Sequence, residues 1–173
     1  VLPTTVNCPA ATTFVSNSTA AQTACTITVD GSTDFSLGSA TFSGDVSITA
    51  TGAVNLAGVT SAKGLSIVSG GSVNLLGLTG ISSGTTISAT TVDLSTLSSI
   101  ASATVVTATS VNLASLATTS AGATLTLAGP TAVSAPSLAT LGGDIIAPAA
   151  TSFAAIQLAT STGTCLLYTS PSP

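Results

Sequence analysis

The sequence predicts an all-β protein, a right-handed parallel β-solenoid (β-helix) of about seven coils, each of 19–22 residues. Three observations predict it. First, one phrase recurs as Val54-Asn55-Leu56, Val73-Asn74-Leu75, Val92-Asp93-Leu94 and Val111-Asn112-Leu113, its first residues spaced 19 apart each time. Second, apolar residues alternate within each coil, as in Val46/Ile48 and Val54/Leu56, and a period of two is the period of a strand. Third, the Gly- and Ser-rich links between these short runs are too short for a crossover helix, so the strands must stack coil on coil. Parallel crossovers are nearly always right-handed, which sets the hand of the winding.

Taken in order, residues 1–25 are polar and lack the repeat, and they are expected to cap the first open coil. Ser16 to Ala24 carries enough Ala and Gln for a short helix, with Ser18 as its N-cap. There are three cysteines, Cys8, Cys25 and Cys165. The parsimonious pairing joins Cys8 to Cys25, and closing a loop of that size contributes about 3 kcal/mol. Asn17-Ser18-Thr19 is an N-glycosylation sequon. Together with the disulfide, it points to an oxidising, extracellular setting. The sequence begins at Val1, as a processed form or a fragment would.

The solenoid is expected over residues 26–164. Its reference coil runs Val46-Ser47-Ile48, turns at Gly52 and continues through Val54-Asn55-Leu56 to Val59. A step back of 19 residues places Ile27-Thr28-Val29 under Val46-Ser47-Ile48 and Phe35 under Val54; a step forward brings up Leu65 and Val73. The next two coils tighten by about one residue around Ile87 and Val106, and later coils stretch through Leu125, Val133, Ile145 and Phe153. Columns of Val, Ile and Leu are expected inside, with Ser, Thr and Asn outside. The stretch 165–173, Cys165 to Pro173, breaks the pattern and resembles a translated sequencing-adaptor artefact; a genuine extended tail is the alternative. On the artefact reading Cys165 is not part of the protein.

Composition excludes several function classes. Of 173 residues 3% are charged and 45% hydrophobic; the only cation is Lys63, and the acids are Asp30, Asp34, Asp45, Asp93 and Asp144. Phosphate neutralisation needs many Lys and Arg, so nucleic acid is excluded as a partner, as is docking on an anionic membrane. Ser, Thr or Gly breaks every apolar run well before 18 residues, so no transmembrane helix is expected. Without His, neither a Ser–His nor a Cys–His nucleophile can be built. Zinc and copper sites lack imidazole, and no cofactor is expected. Asp45 and Asp144 sit about five coils, or over ~20 Å, apart, beyond the ~5–9.5 Å of a glycosidase pair. The expectation is a protein that is not an enzyme. Asp30-Gly31-Ser32-Thr33-Asp34 opens like a calcium loop, but Thr41 stands where such a loop needs its bidentate Glu, so a solvated turn is the preferred reading.

The segment around Cys8 and Cys25, then Thr26-Ile27-Thr28-Val29-Asp30-Gly31, and the phrase Leu138-Ala139-Thr140-Leu141-Gly142-Gly143-Asp144-Ile145 resemble receptor L-domain-like repeats of secreted fungal cell-wall organisation proteins. The resemblance covers about residues 8–160. It implies a β-helix at the cell surface or wall, with no catalytic residues to carry over.

Two outward sets are candidate contact residues. Asn55, Asn74, Asp93 and Asn112 fall between inward Val and Leu, and are expected to form a structural ladder of side chains bonding coil to coil. Thr49 and Thr51, Ser88 and Thr90, and Thr107 and Thr109 are read as pairs two apart on one strand, stacked into a hydroxyl-and-methyl face. Val68 and Gly70 interrupt it in one coil, Ala128 and Pro130 in another. Such a face resembles that of β-solenoid ice-binding proteins; Thr is equally a good strand residue, and Ser/Thr-rich surfaces are common glycosylation targets. The expected function is a non-catalytic secreted coat, wall or fibre subunit that self-associates end to end or laterally, or meets other wall components. An ice-binding protein is the alternative. A carbohydrate-binding surface domain comes third, because aromatic platforms are nearly absent.

Overall fold

The computed structural model describes residues 45–130 and 132–167, Ser61 among them by its backbone alone, and the backbone of five strand segments before them: Thr5–Asn7, Ala21–Gln22, Cys25–Val29, Phe35–Ser36 and Ala40–Phe42. Every regular element among the described residues is a strand of two to five residues. Alternation is the cause. Val46–Ala50 and Leu65–Ser69 bury every second residue and turn the others to solvent. Each buried position then meets its counterpart in the next coil, and the repeat becomes a stack.

The chain winds as a right-handed parallel β-solenoid with three sheets per coil. The first sheet is unbroken and nine-stranded: Thr5–Asn7, Cys25–Val29, Val46–Ala50, Leu65–Ser69, Thr85–Ser88, Thr104–Thr107, Thr124–Ala128, Asp144–Ala147 and Cys165–Leu167. All its pairings are parallel except the first, where Thr5–Asn7 runs antiparallel along Cys25–Val29. The second sheet carries the Val-Asn-Leu phrase, Val54 pairing with Val73, Val73 with Val92 and Val92 with Val111. It is split, because Ala132–Ser134 pairs only with Ser152–Ala154. The third sheet runs from Gly80–Ile81 to Thr160–Ser161, with a separate group formed by Ala21–Gln22, Ala40–Phe42 and Val59–Ser61.

The Leu of each phrase begins a tight turn. The amide of Val59 donates to the Leu56 carbonyl at 2.9 Å, Leu78 to Leu75 at 3.0 Å, Leu97 to Leu94 at 3.0 Å and Leu116 to Leu113 at 3.1 Å. Both ends of each turn are apolar and buried, so one four-residue step folds a corner and fills it. Ile48, Leu56, Ile67, Leu75, Ile87 and Leu94 are fully buried, and stacked columns of such residues form one continuous core.

The inside is not wholly aliphatic. Thr85 and Thr104 occupy inward positions of the first sheet; Thr85 Oγ1 donates to the Ser83 carbonyl at 3.3 Å and accepts from the Leu65 amide at 3.3 Å. Thr104 Oγ1 donates to the Ser102 carbonyl at 3.3 Å. Local backbone partners make these hydroxyls compatible with burial.

Several expectations change. The first coil is longer at its first strand than a uniform 19-residue step: Val46 pairs with Cys25 and Ile48 with Ile27, whereas Phe35 and Val54 pair as expected. Ile87 pairs with Ile67 and Val106, so these coils differ in corner length while the first sheet stays in register. Ala21–Gln22, expected within a helix, is a strand parallel to Ala40–Phe42; pairing to a neighbouring coil overrides weak helix propensity. Cys165–Leu167, expected outside the repeat, pairs in register with Ile145–Ala147 and extends the first sheet. The register sets Cys165 and Leu167 over Ile145 and Ala147, but Cys165-Leu166-Leu167 has no apolar–polar alternation by which the sequence could signal the strand. The Cys8–Cys25 pairing, the Asn17 sequon, the Asp30–Asp34 turn and the tail from Tyr168 lie outside the described residues.

Candidate interaction surfaces

Three corners and three sheets leave limited places for a site, and two surfaces gather the candidate residues. On the second sheet, Asn55, Asn74, Asp93 and Asn112 do form one column, each in register with the next. Their side chains bond differently from the expected ladder. Asn55 Oδ1 accepts from the Ala57 amide at 3.1 Å, Asn74 Oδ1 from Leu76 at 3.0 Å, Asp93 Oδ1 from Ser95 at 3.0 Å and Asn112 Oδ1 from Ala114 at 3.2 Å. Each is an Asx turn that starts its own corner. Coil-to-coil bonding at this position is done by the backbone: Leu56 donates to the Asn74 carbonyl at 2.8 Å and Leu75 to the Asp93 carbonyl at 3.0 Å. An amide and a carboxylate serve the turn equally, which accounts for Asp93 in an asparagine column. Beside this column stand the hydroxyls of Ser72, Thr91 and Ser110, and the two columns line a shallow polar groove.

The six Ser/Thr candidates do not share one strand face. Thr49, Ser88 and Thr107 lie on the first sheet, where the outward column reads Thr49, Val68, Ser88, Thr107, Ala128. Thr51, Thr90 and Thr109 lie past the strand ends, at the corner leading to the second sheet. Ser88, Thr90, Thr107 and Thr109 line one shallow depression, whereas Thr49 and Thr51 belong to a coil two steps away. The corner hydroxyl of Thr109 also donates to the Thr90 carbonyl at 2.7 Å.

The partner column on the first sheet is one that the sequence reading did not single out: Ser47, Ser66, Thr86, Val105, Thr126, Ile146 and Leu166. The signal was present in the alternation, since Val46 and Ile48 inward make Ser47 and Thr49 the outward pair. Neither of these two columns contains a charged residue. Asp45 and Lys63 lie outside the strands, Asp93 is on the second sheet, and Asp144 is at the first sheet's margin, its Oδ1 accepting from the Thr164 amide at 2.8 Å. Val68 and Val105 are exposed at 50% and 37% on this surface.

Chemistry beyond contact has few groups to use. Among the described residues no group of three metal-ligating side chains comes together, and no helix is long and apolar enough to cross a membrane. Cys165 is a half-buried free thiol, and burial pushes its pKa up, away from the reactive thiolate. Comparison with family models, with curated proteins and with solved structures finds no match to this chain.

Proposed function

We propose that the protein is a non-catalytic structural solenoid, a secreted coat, wall or fibre subunit that works through surface contact. The observation that carries this reading is the first sheet's unbroken outward surface, free of charge along both central columns. Charged side chains ordinarily keep protein surfaces apart, and here they are few and lie elsewhere. The resemblance to receptor L-domain-like repeats supports placement at the cell surface. The residue set supports the non-catalytic part, since the chain has no His.

Electron microscopy and sedimentation of native material over a range of concentrations test the reading, and concentration-dependent assemblies are expected. Monomers at every concentration would refute it. Ice binding is the second reading, favoured by the same surface of hydroxyls and methyls; thermal hysteresis and ice shaping by monomeric protein would establish it instead.

A further inference from the structure

We infer that the first sheet docks face to face on the first sheet of a second copy of this chain. The inference rests on the structural reading above and names the surface and the partner. Continuity is the first argument: the second and third sheets are each divided, whereas the first runs without a break to Cys165–Leu167. A sheet that faces water on one side commonly carries polar residues there. This one mixes Ser66 and Thr86 with Val68, Val105 and Ile146.

Area is the second argument. Seven parallel strands run from Val46–Ala50 to Cys165–Leu167. They are three to five residues long and hold 30 residues in all, which at about 4.8 Å per strand and about 3.3 Å per residue cover about 480 Å². A pair of such faces buries roughly 950 Å² in total, close to the roughly 1,000 Å² at which specific interfaces begin and the size of a weak, reversible contact.

Charge argues for a like partner. The chain has a formal net charge of −4, so two copies repel on average, yet the two central columns bring no charge to the contact. A partner chosen by electrostatic complementarity would find nothing there to read. Hydroxyls both donate and accept, so a Ser/Thr face satisfies a copy of itself under a two-fold axis.

Val105 is the decisive residue, exposed at 37% on the fourth of the seven strands, near the centre of the face. The test is sedimentation velocity of the full chain, wild type against Val105→Lys and Thr107→Glu, with Thr91→Lys on the second sheet as control. Circular dichroism verifies that each variant folds. The wild type should dimerise, both first-sheet variants should weaken the dimer by about tenfold or more, and the control should change it by less than about twofold. A dimer that tolerates both first-sheet variants, or that Thr91→Lys weakens equally, overturns the docking face while leaving the structural reading intact. A wild type that stays monomeric to about 1 mM, the weak end of the affinity scale, overturns both. A monomer whose thermal hysteresis Val105→Lys abolishes assigns the face to ice and also overturns the inference.

Discussion

The Thr109 hydroxyl donates to the carbonyl of Thr90, one coil away, at 2.7 Å, and the Thr109 amide donates to the same oxygen at 3.0 Å. Two donors from one residue converge on one acceptor, so Thr109 fastens the corner between the first and second sheets. Thr109→Val keeps the shape and the amide bond and removes the hydroxyl. The expected loss is about 0.5–1 kcal/mol, the low end for a hydrogen bond at an exposed site. Urea denaturation measures it, and any dimer should persist because the residue lies past the strand.

The Asn column gives a second prediction. Asn74→Ala removes the Oδ1 that accepts from Leu76 at 3.0 Å and should destabilise the fold by about 0.5–1.5 kcal/mol. Asn74→Asp retains that oxygen, so it should keep most of the stability at neutral pH. A side-chain ladder would predict the reverse for the aspartate, because it would place a second charge beside Asp93 in a stack of amides. Urea midpoints of the two variants decide between these accounts.

Two glycines separate backbone need from mere tolerance. Gly129 has φ +121°, and a Cβ there would press into the Ala108 carbonyl oxygen. Gly129→Ala should destabilise by roughly 1–3 kcal/mol or more, the range for a residue forced into a sparsely populated conformation. Gly84 has nothing within 4 Å of its ideal Cβ and no positive φ. Gly84→Ala should be neutral or stabilise by about 0.4–1 kcal/mol through the unfolded chain. Thermal denaturation of the pair checks both signs.

Cys165 supplies a pH dependence. Burial raises its pKa above the ordinary 9.0, so the folded state holds the thiol proton more tightly than the unfolded state. The stability this contributes is fully present below pH 9.0 and is lost as pH rises through the folded-state pKa. Alkylation by iodoacetamide should therefore be slower in folded than in urea-unfolded protein at one pH, and the folded rate should keep climbing above pH 9.0. Equal rates, or a plateau below pH 9.0, would contradict this.

Much of the architecture is legible in the residues alone. Val54, Val73, Val92 and Val111 are one column in the sequence spacing and one column in the sheet. Inward and outward assignments followed from alternation, because a strand has only two faces and the apolar set fills one. What remained hidden was set by corners. The register of Cys25 under Val46, the strand at Ala21–Gln22 and the continuation at Cys165–Leu167 depend on how many residues each corner absorbs, and Gly- and Ser-rich links carry no periodic signal.

The candidate surfaces divide in the same way. By itself the sequence determined a charge-poor, His-free β-solenoid with Asn or Asp between the inward Val and Leu of its repeated phrase. Only the tertiary structure decided that those oxygens bind their own turns, that Thr51, Thr90 and Thr109 leave the strand face, and that Val105 stands on the one unbroken sheet. The reason is physical. Periodicity reports which side of a strand a residue takes, but where the strand ends, and whether an amide reaches its own turn or the next coil, depends on competition among backbone donors that only the stacked coils bring together.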